Sequence, residues 1–334
     1  MKTLRLHGPH DLRLHDEPVP APQTNEALVR VTAVGVCGSD LHWYSTGGIG
    51  DAQVTRPLVL GHEFAGVVES GALRGQRVAV DPSIPCDHCE LCRAGNPNLC
   101  EEQRFAGHGL EDGAFREYFA WDSRCLFPLP DELTDEDGAM LEPLGVAIHS
   151  VDLAHLRPGM TVGVFGCGPI GLLIAQVAFV AGAARVMATE ALAHRLDAAQ
   201  AIGAEGFRAE SGEEAQQVLS ATDGRGVDIA FEVAGDQTAV DVAMTTTKPG
   251  GYVILVGVPS DDRTAFTASV ARRKGLTIKL VRRMKHTFPR AIDLVTRGLV
   301  DVRSLVTHRF PLAQAGEAFA IAERREGIKV IVRP

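Results

Sequence analysis

Cys37, His62 and Glu63 offer a thiolate, an imidazole and a carboxylate, the donor set that suits a borderline-soft zinc ion. They lie in a stretch reading V-G-V-C-G-S-D-L-H-W-Y, then a glycine-rich run, then P-L-V-L-G-H-E-F-A-G-V-V-E. A catalytic zinc takes three protein ligands and keeps one position for water or substrate. No zinc-finger spacing joins Cys37 to His62, so the fold has to bring them together. Taken alone, the same residues also read as a buried thiol and a core histidine satisfied by its neighbours.

A second constellation is local. Cys86-x-x-Cys89-x-x-Cys92-x7-Cys100 places four of the seven cysteines on one loop with Pro85, Gly95 and Pro97. Four thiolates at this spacing close a tetrahedral shell around one zinc, which makes the site structural. The alternatives are two disulfides or four unligated thiols. His88 lies inside the loop and is not needed as a ligand. Cys125 and Cys167 read as ordinary buried thiols. Glu142 is a carboxylate in an apolar helical segment, Gly138–His149. It belongs either on that helix's surface or beside a charged partner such as a metal.

The third constellation binds phosphate. Thr161–Phe165 reads as a buried strand, followed by Gly166-Cys-Gly168-Pro169-Ile170-Gly171, a helix over Leu172–Ala181 and a strand over Arg185–Thr189 ending at Glu190. This is the order of a dinucleotide-binding unit. The glycines let backbone N–H groups approach a pyrophosphate at the helix N-terminus. Glu190 is placed to accept from the adenosine ribose hydroxyls and repels a 2′-phosphate, favouring NAD over NADP. Arg195 keeps some NADP use possible.

These residues need a frame. Short β-like runs (Thr3–Leu6, Ala27–Val34, Val59–Leu60, Ala65–Glu69, Gln76–Val80, Phe115–Ala120, Cys125–Leu129) precede Thr134, which is a helix N-cap candidate. Gly47–Asp51 reads as a flexible loop. From Thr161, strands and helices alternate: Val227–Glu232, Gln237–Thr246, Gly251–Val256 and Thr277–Val281, a pattern that predicts a doubly wound parallel sheet. A helix over Phe288–Arg297 and β-like Val306–Pro311 and Ile328–Val332 follow. The α/β unit is therefore inserted in a β-rich domain built from both ends of the sequence.

The 334 residues, 45% hydrophobic and 22% charged, suit a globular chain of two domains. A net charge of −9 argues against a nucleic-acid surface. The sequence shows no basic-then-apolar leader and no apolar run that could span a bilayer, so a cytoplasmic protein without a membrane partner is expected.

Taken together, Cys37-Gly-x-Asp40-x-His42, Gly61-His62-Glu63, the four-cysteine loop and Gly166–Gly171 resemble the zinc-dependent medium-chain dehydrogenase/reductase superfamily along the full chain. Within it the chain looks most like the polyol dehydrogenases of the sorbitol and xylitol type. The resemblance there rests on Ile49-Gly50-Asp51, Met140-Leu-Glu142-Pro143-Leu144 and Leu305-Val-Thr-His-Arg-Phe-Pro311. The resemblance implies a GroES-like catalytic domain over residues 1–146 and 287–334, a Rossmann domain over 147–286, and an active site in the cleft between them. It implies a catalytic zinc on Cys37, His62 and Glu63, with Glu142 reached directly or through water. Ser39 and His42 would relay the alcohol proton. Trp43, with Tyr44 beside it, Glu142 and Arg283 would meet the substrate. Val256, Gly257 and Val258 would approach the nicotinamide.

The activity implied is reversible hydride transfer from a secondary hydroxyl of a polyol to NAD, giving a ketose and NADH, in a homo-oligomer (dimer or tetramer). Trp43 stands where many sorbitol dehydrogenases have Tyr, and Met284 follows Arg283 where Tyr is frequent, so the preferred polyol stays open. An NAD(P)-dependent secondary-alcohol, diol or threonine dehydrogenase shares the same motifs. A non-catalytic NADH-binding relative would be expected to lose the zinc ligands, which are present.

Overall fold

The computed structural model describes residues 1–209 and 212–334, which divide into two compact units: Met1–Pro143 with Phe288–Pro334, and Leu144–Thr287.

The first unit is built on a seven-stranded sheet. Its order runs Leu126–Pro128, Arg77–Val80, Glu63–Val68, Glu26–Gly35, Lys329–Arg333, Val306–Pro311, and Tyr118–Asp122 also pairs with Glu26–Gly35. Glu26–Gly35 alternates buried Ala27, Val29, Val31 and Ala33 with more exposed neighbours, the two-residue period of a strand with one face in a core. That core packs Phe119 edge-on to Phe64 and tilted against Trp121, each at a centroid separation of 5.0 Å. Each such side chain, fully buried, contributes roughly 1.5–3 kcal/mol.

The register determines what meets at one end of this sheet. Gly35 lies opposite Glu63 on one side and Ile331 on the other. Cys37, two residues after Gly35, is the N-cap of the helix Gly38–Thr46. Two residues along from Ile331, Lys329 opens its strand. Gly35 is required here: a Cβ would stand 2.2 Å from Glu63 Oε2 and 2.9 Å from Lys329 Cε.

Two local expectations are corrected. Gly47–Asp51 is not an open loop, since Gly48–Ile49 pairs with Ala52–Gln53 as a small hairpin. Val59–Leu60 does not form the strand expected there, because Val59 and Leu60 accept from Gly113 and Phe115 N–H instead of joining the ladder, and the strand expected at Ala65–Glu69 runs Glu63–Val68. Thr134 does cap a helix, Asp135–Ala139, through a reciprocal bond with Asp137.

The second unit is a six-stranded, all-parallel sheet ordered Glu205–Arg208, Arg185–Glu190, Thr161–Phe165, Val227–Glu232, Thr247–Leu255, Thr277–Leu280. Sequence order reverses direction between Thr161–Phe165 and Val227–Glu232. Dinucleotides bind at that switch point, beyond the carboxyl ends of the strands. Val227–Glu232 is buried at every position, as expected of a central parallel strand covered on both faces. Among the described residues no helix is long and apolar enough to cross a membrane.

Candidate active site

In the first unit the donor atoms of Cys37, His62 and Glu63 lie within 4.8 Å of one another. His62 and Glu63 are buried, and Cys37 is half-buried at the mouth. Asp40 locks the two chain segments together. Its carboxylate accepts from Cys37 N–H (3.0 Å) and Gly61 N–H (3.2 Å), and its Oδ1 stands 3.5 Å from His62 Nδ1. Burial alone would lower the His62 pKa, but Asp40 and Cys37 overcome it and hold the imidazole well above its ordinary value. The other ring nitrogen, Nε2, lies 3.4 Å from Ser39 Oγ.

Lys329 completes the cluster, and nothing in its local sequence pointed to it. It is 2% exposed and forms an ion pair with Glu63 Oε2. Burial would strip its proton, yet Glu63, then Cys37 and Asp40, raise its pKa above the ordinary range. A lysine this deep is tolerated only beside fixed negative charge. The donors therefore sit in a pocket rich in anionic groups, with one lysine against Cys37, Asp40 and Glu63. A sulfur, a nitrogen and an oxygen converging there fit zinc.

The remaining expected residues fall around or apart from this cluster. Glu142 is buried at the start of the helix Leu141–Ala154 but does not join the three converged donors. Trp43 is buried, edge-on to His108 at 5.4 Å, and His108 and His62 both meet Phe105. Phe105 and His108 thus link Trp43 to His62, a connection made through a distant loop that sequence order hides. Tyr44 is packed into the core, its ring 4.6 Å from His10 and 5.2 Å from Phe319. His42 is half-buried on the same helix.

The four-cysteine loop gathers Cys86, Cys89, Cys92 and Cys100 within 4.8 Å, all as thiols. Its own backbone points at the sulfurs. Cys86 N–H approaches Cys100 Sγ at 3.4 Å, Cys89 N–H approaches Cys86 Sγ at 3.3 Å, and Cys92 N–H approaches Cys89 Sγ at 3.4 Å. The His88 N–H draws Cys86 down to about 7, whereas loss of hydration pushes Cys92 up to about 12. Cys86 and Cys92 sulfurs are 4.0 Å apart, near the ~3.8 Å expected of thiolates at tetrahedral zinc. His88 instead bonds Cys86 O through Nδ1.

In the second unit Gly166 takes a φ of 106°, where only glycine is at ease, and Gly168 caps the helix Pro169–Val180 with Pro169 in its first turn. A Cβ on Gly171 would meet Gly166 O at 2.0 Å, so helix and turn require that glycine for close approach. Ile170 lies in the same first turn. Glu190 accepts from Cys167, Ala191 and Leu192 N–H at 2.8–3.0 Å. An ionised carboxylate has about four acceptor sites, so capacity remains. An Arg195 guanidinium nitrogen stands 3.7 Å from where a Cβ of Gly168 would be. Val256, Gly257 and Val258 follow the strand Thr247–Leu255, with Val256 and Gly257 N–H bonded to Glu232 O. Arg283 adopts a φ of 53° in the loop after Thr277–Leu280.

Comparison with known proteins agrees with this architecture. Residues 23–131 match the alcohol dehydrogenase GroES-like domain and residues 169–297 the zinc-binding dehydrogenase family. The sorbitol dehydrogenase of Bacillus subtilis is 34% identical over 100% of this chain and 97% of its own length. The sorbitol dehydrogenase of Bos taurus is 37% identical over 99% and 95%. The crystal structure of 2R,3R-butanediol dehydrogenase from Bacillus subtilis superposes with a TM-score of 0.89 at 30% identity, covering 100% of this chain and 99% of that one.

Proposed function

The chain belongs to the zinc-dependent medium-chain dehydrogenase/reductase superfamily, in its polyol dehydrogenase group, and from that premise we propose that it oxidises a secondary hydroxyl of a sugar alcohol to a ketose with NAD, reversibly. The observation that carries this reading is the end-to-end likeness to sorbitol dehydrogenases, in a chain whose Cys37, His62 and Glu63 converge. It is an oxidoreductase that works with zinc and a nicotinamide cofactor.

Cys37, His62 and Glu63 hold one zinc, with Glu142 reached directly or through water, and Cys86, Cys89, Cys92 and Cys100 hold the other. When bound, the metal supplies a Lewis acid that acidifies the substrate hydroxyl, and the nicotinamide supplies the hydride acceptor. Ser39, beside His62, takes the hydroxyl proton at Oγ and hands it towards solvent by way of His42. Trp43 and Arg283 orient the polyol, and Tyr44 backs Trp43 from the core. Backbone N–H groups of Gly166–Gly171 receive the pyrophosphate, and Glu190 binds the ribose hydroxyls and disfavours a 2′-phosphate. Val256, Gly257 and Val258 flank the nicotinamide. We place the protein in the cytoplasm, as a homo-oligomer through the edge strand Thr277–Leu280, where Leu280 is 74% exposed.

The deciding assay follows NADH at 340 nm with xylitol, sorbitol, galactitol, arabinitols, 2,3-butanediol, threonine and 2-propanol, with zinc measured on the same sample. Turnover of polyols with about two zincs per chain is expected. Turnover confined to 2,3-butanediol, threonine or 2-propanol would replace the polyol reading. No turnover with any of them would favour a binding protein.

A further inference from the structure

Glu232 is another deeply buried carboxylate, far in sequence from the metal donors and without a lysine against it. It ends the strand Val227–Glu232 at the switch point of the parallel sheet and is 2% exposed. Its Oε1 accepts from Gly235 N–H at 2.7 Å, and the Ala234 and Gly257 N–H groups also bond the carboxylate. Its main-chain oxygen takes Val256 N–H at 2.9 Å and Gly257 N–H at 3.1 Å.

Three turns meet here with almost no space between them. A Cβ on Gly257 would stand 2.3 Å from Gly235 N and 2.9 Å from Glu232 Oε2; one on Gly235 would stand 2.6 Å from Val258 O. A Cβ on Gly166 would stand 2.8 Å from Ala234 N, and Val233 N–H bonds Phe165 O at 2.9 Å. One carboxylate thus ties the turn after Val227–Glu232 to the turn after Thr247–Leu255, beside the glycine turn after Thr161–Phe165.

We propose that Glu232 is a positioning residue for the nicotinamide end of the cofactor: it holds the Val233–Gly235 and Val256–Val258 turns together and, when ionised, favours the oxidised, positively charged ring over the neutral reduced one. The proposal rests on the reading that this unit binds a nicotinamide dinucleotide at its switch point.

Few other charges act at this spot. Asp236, on the following turn, opposes ionisation, and Arg263 lines the small cavity beside Glu232. The neighbouring strands end in Phe165 and Leu255, and Asp228, which pairs with Lys248, stands at the opposite end of Glu232's own strand. Glu190 is turned to the N–H groups of Cys167, Ala191 and Leu192. Burial pushes Glu232 up to about 7 despite its backbone bonds. A cationic ring held nearby stabilises the ionised form, so oxidised cofactor binds more tightly as pH rises through neutrality. A one-unit drop in this pKa on binding corresponds to about tenfold in affinity.

The test is calorimetric titration of NAD+ and NADH at pH 6 and pH 8 into the zinc-loaded wild type, Glu232→Gln and Glu232→Asp. In the wild type, NAD+ affinity should rise about fivefold over this range while NADH affinity changes less than about twofold. Glu232→Gln should lose the NAD+ step, leaving NAD+ about tenfold weaker at pH 8 with NADH near wild type. Glu232→Asp, one methylene short of Gly235, should weaken both. A wild-type NAD+/NADH affinity ratio in Glu232→Gln at both pH values would overturn the proposal. Should the variants fail to fold, a wild-type ratio that does not change with pH overturns it as well. A wild type that binds neither dinucleotide sinks the cofactor reading itself, and this proposal with it.

Discussion

The two metal-donor clusters of this protein contrast in how they are built. The Cys86–Cys100 loop supplies its four sulfurs, and the N–H groups that bond them, from fifteen consecutive residues. The Cys37–His62–Glu63 cluster draws on a strand end, a strand start and, through Lys329, a strand from the far side of the sequence. In the loop a bound zinc would offset two of the four thiolate charges, and the backbone N–H groups on the sulfurs share the rest. The sheet cluster also carries a buried lysine, so its charge is balanced partly by the protein. A self-contained site can be lost with local damage, whereas a site spread over a sheet ties the metal to the fold.

Variants can break this contrast, beginning with the largest effect. Cys37→Ser should lower turnover by more than about a thousandfold while the protein keeps one zinc of two, measured by metal analysis of the same sample. Retained turnover at full zinc content would remove Cys37 from the chemistry.

In the metal-free protein, Lys329→Met leaves the buried Glu63 without its counter-charge. It should cost about 3–5 kcal/mol in the unfolding of the first unit. Adding Glu63→Gln should recover most of that loss in the same metal-free protein, because no unpaired charge then stays buried. Urea midpoints of the single and double variants decide it; additive losses would mean that the two residues do not act as a pair.

Cys92→Ser should empty the loop and lower thermal stability by several degrees, with turnover per folded molecule within about threefold of wild type, since a closed structural site supplies folding energy and no chemistry. A collapse of turnover at unchanged folded fraction would make the loop part of the active site. The smallest effect is expected from Trp43→Tyr, which trades the indole packed on His108 for a smaller ring that carries a hydroxyl. It should shift the ratio of kcat/KM between two polyols by about threefold to tenfold with zinc content unchanged.

The same contrast explains what could be read from the residues. Cysteine spacing and the Gly166–Gly171 turn are local signals, and both reappear in the structure at the expected positions. The alternation from Thr161 onward gave the parallel sheet, yet the strand Glu205–Arg208 and the helix Glu214–Ala221 escaped because their apolar pattern is weak and charged. The convergence of Cys37 with His62 was an expectation that only pairing across Gly35 could realise. Lys329 was unreadable in principle: in sequence it is one basic residue within the expected strand Ile328–Val332, and only the register beside Gly35 takes it inside. Phe105 and His108 were missed for the same reason. Glu232 looked like an ordinary strand terminus because burial, and not residue type, makes it unusual.

Lys329 has one more consequence, for the order in which the protein is made. Nearly three hundred residues separate it from Cys37, and the whole dinucleotide-binding unit is synthesised in between. Until the strand Lys329–Arg333 emerges from the ribosome, the centre of the sheet has an open edge and Glu63 has no cation beside it. Domains that fold during synthesis generally do so in N-terminal order, but here the second unit to begin has to be the first to finish. Most of this sheet therefore emerges long before the strand that completes it and before the lysine that pairs with Glu63.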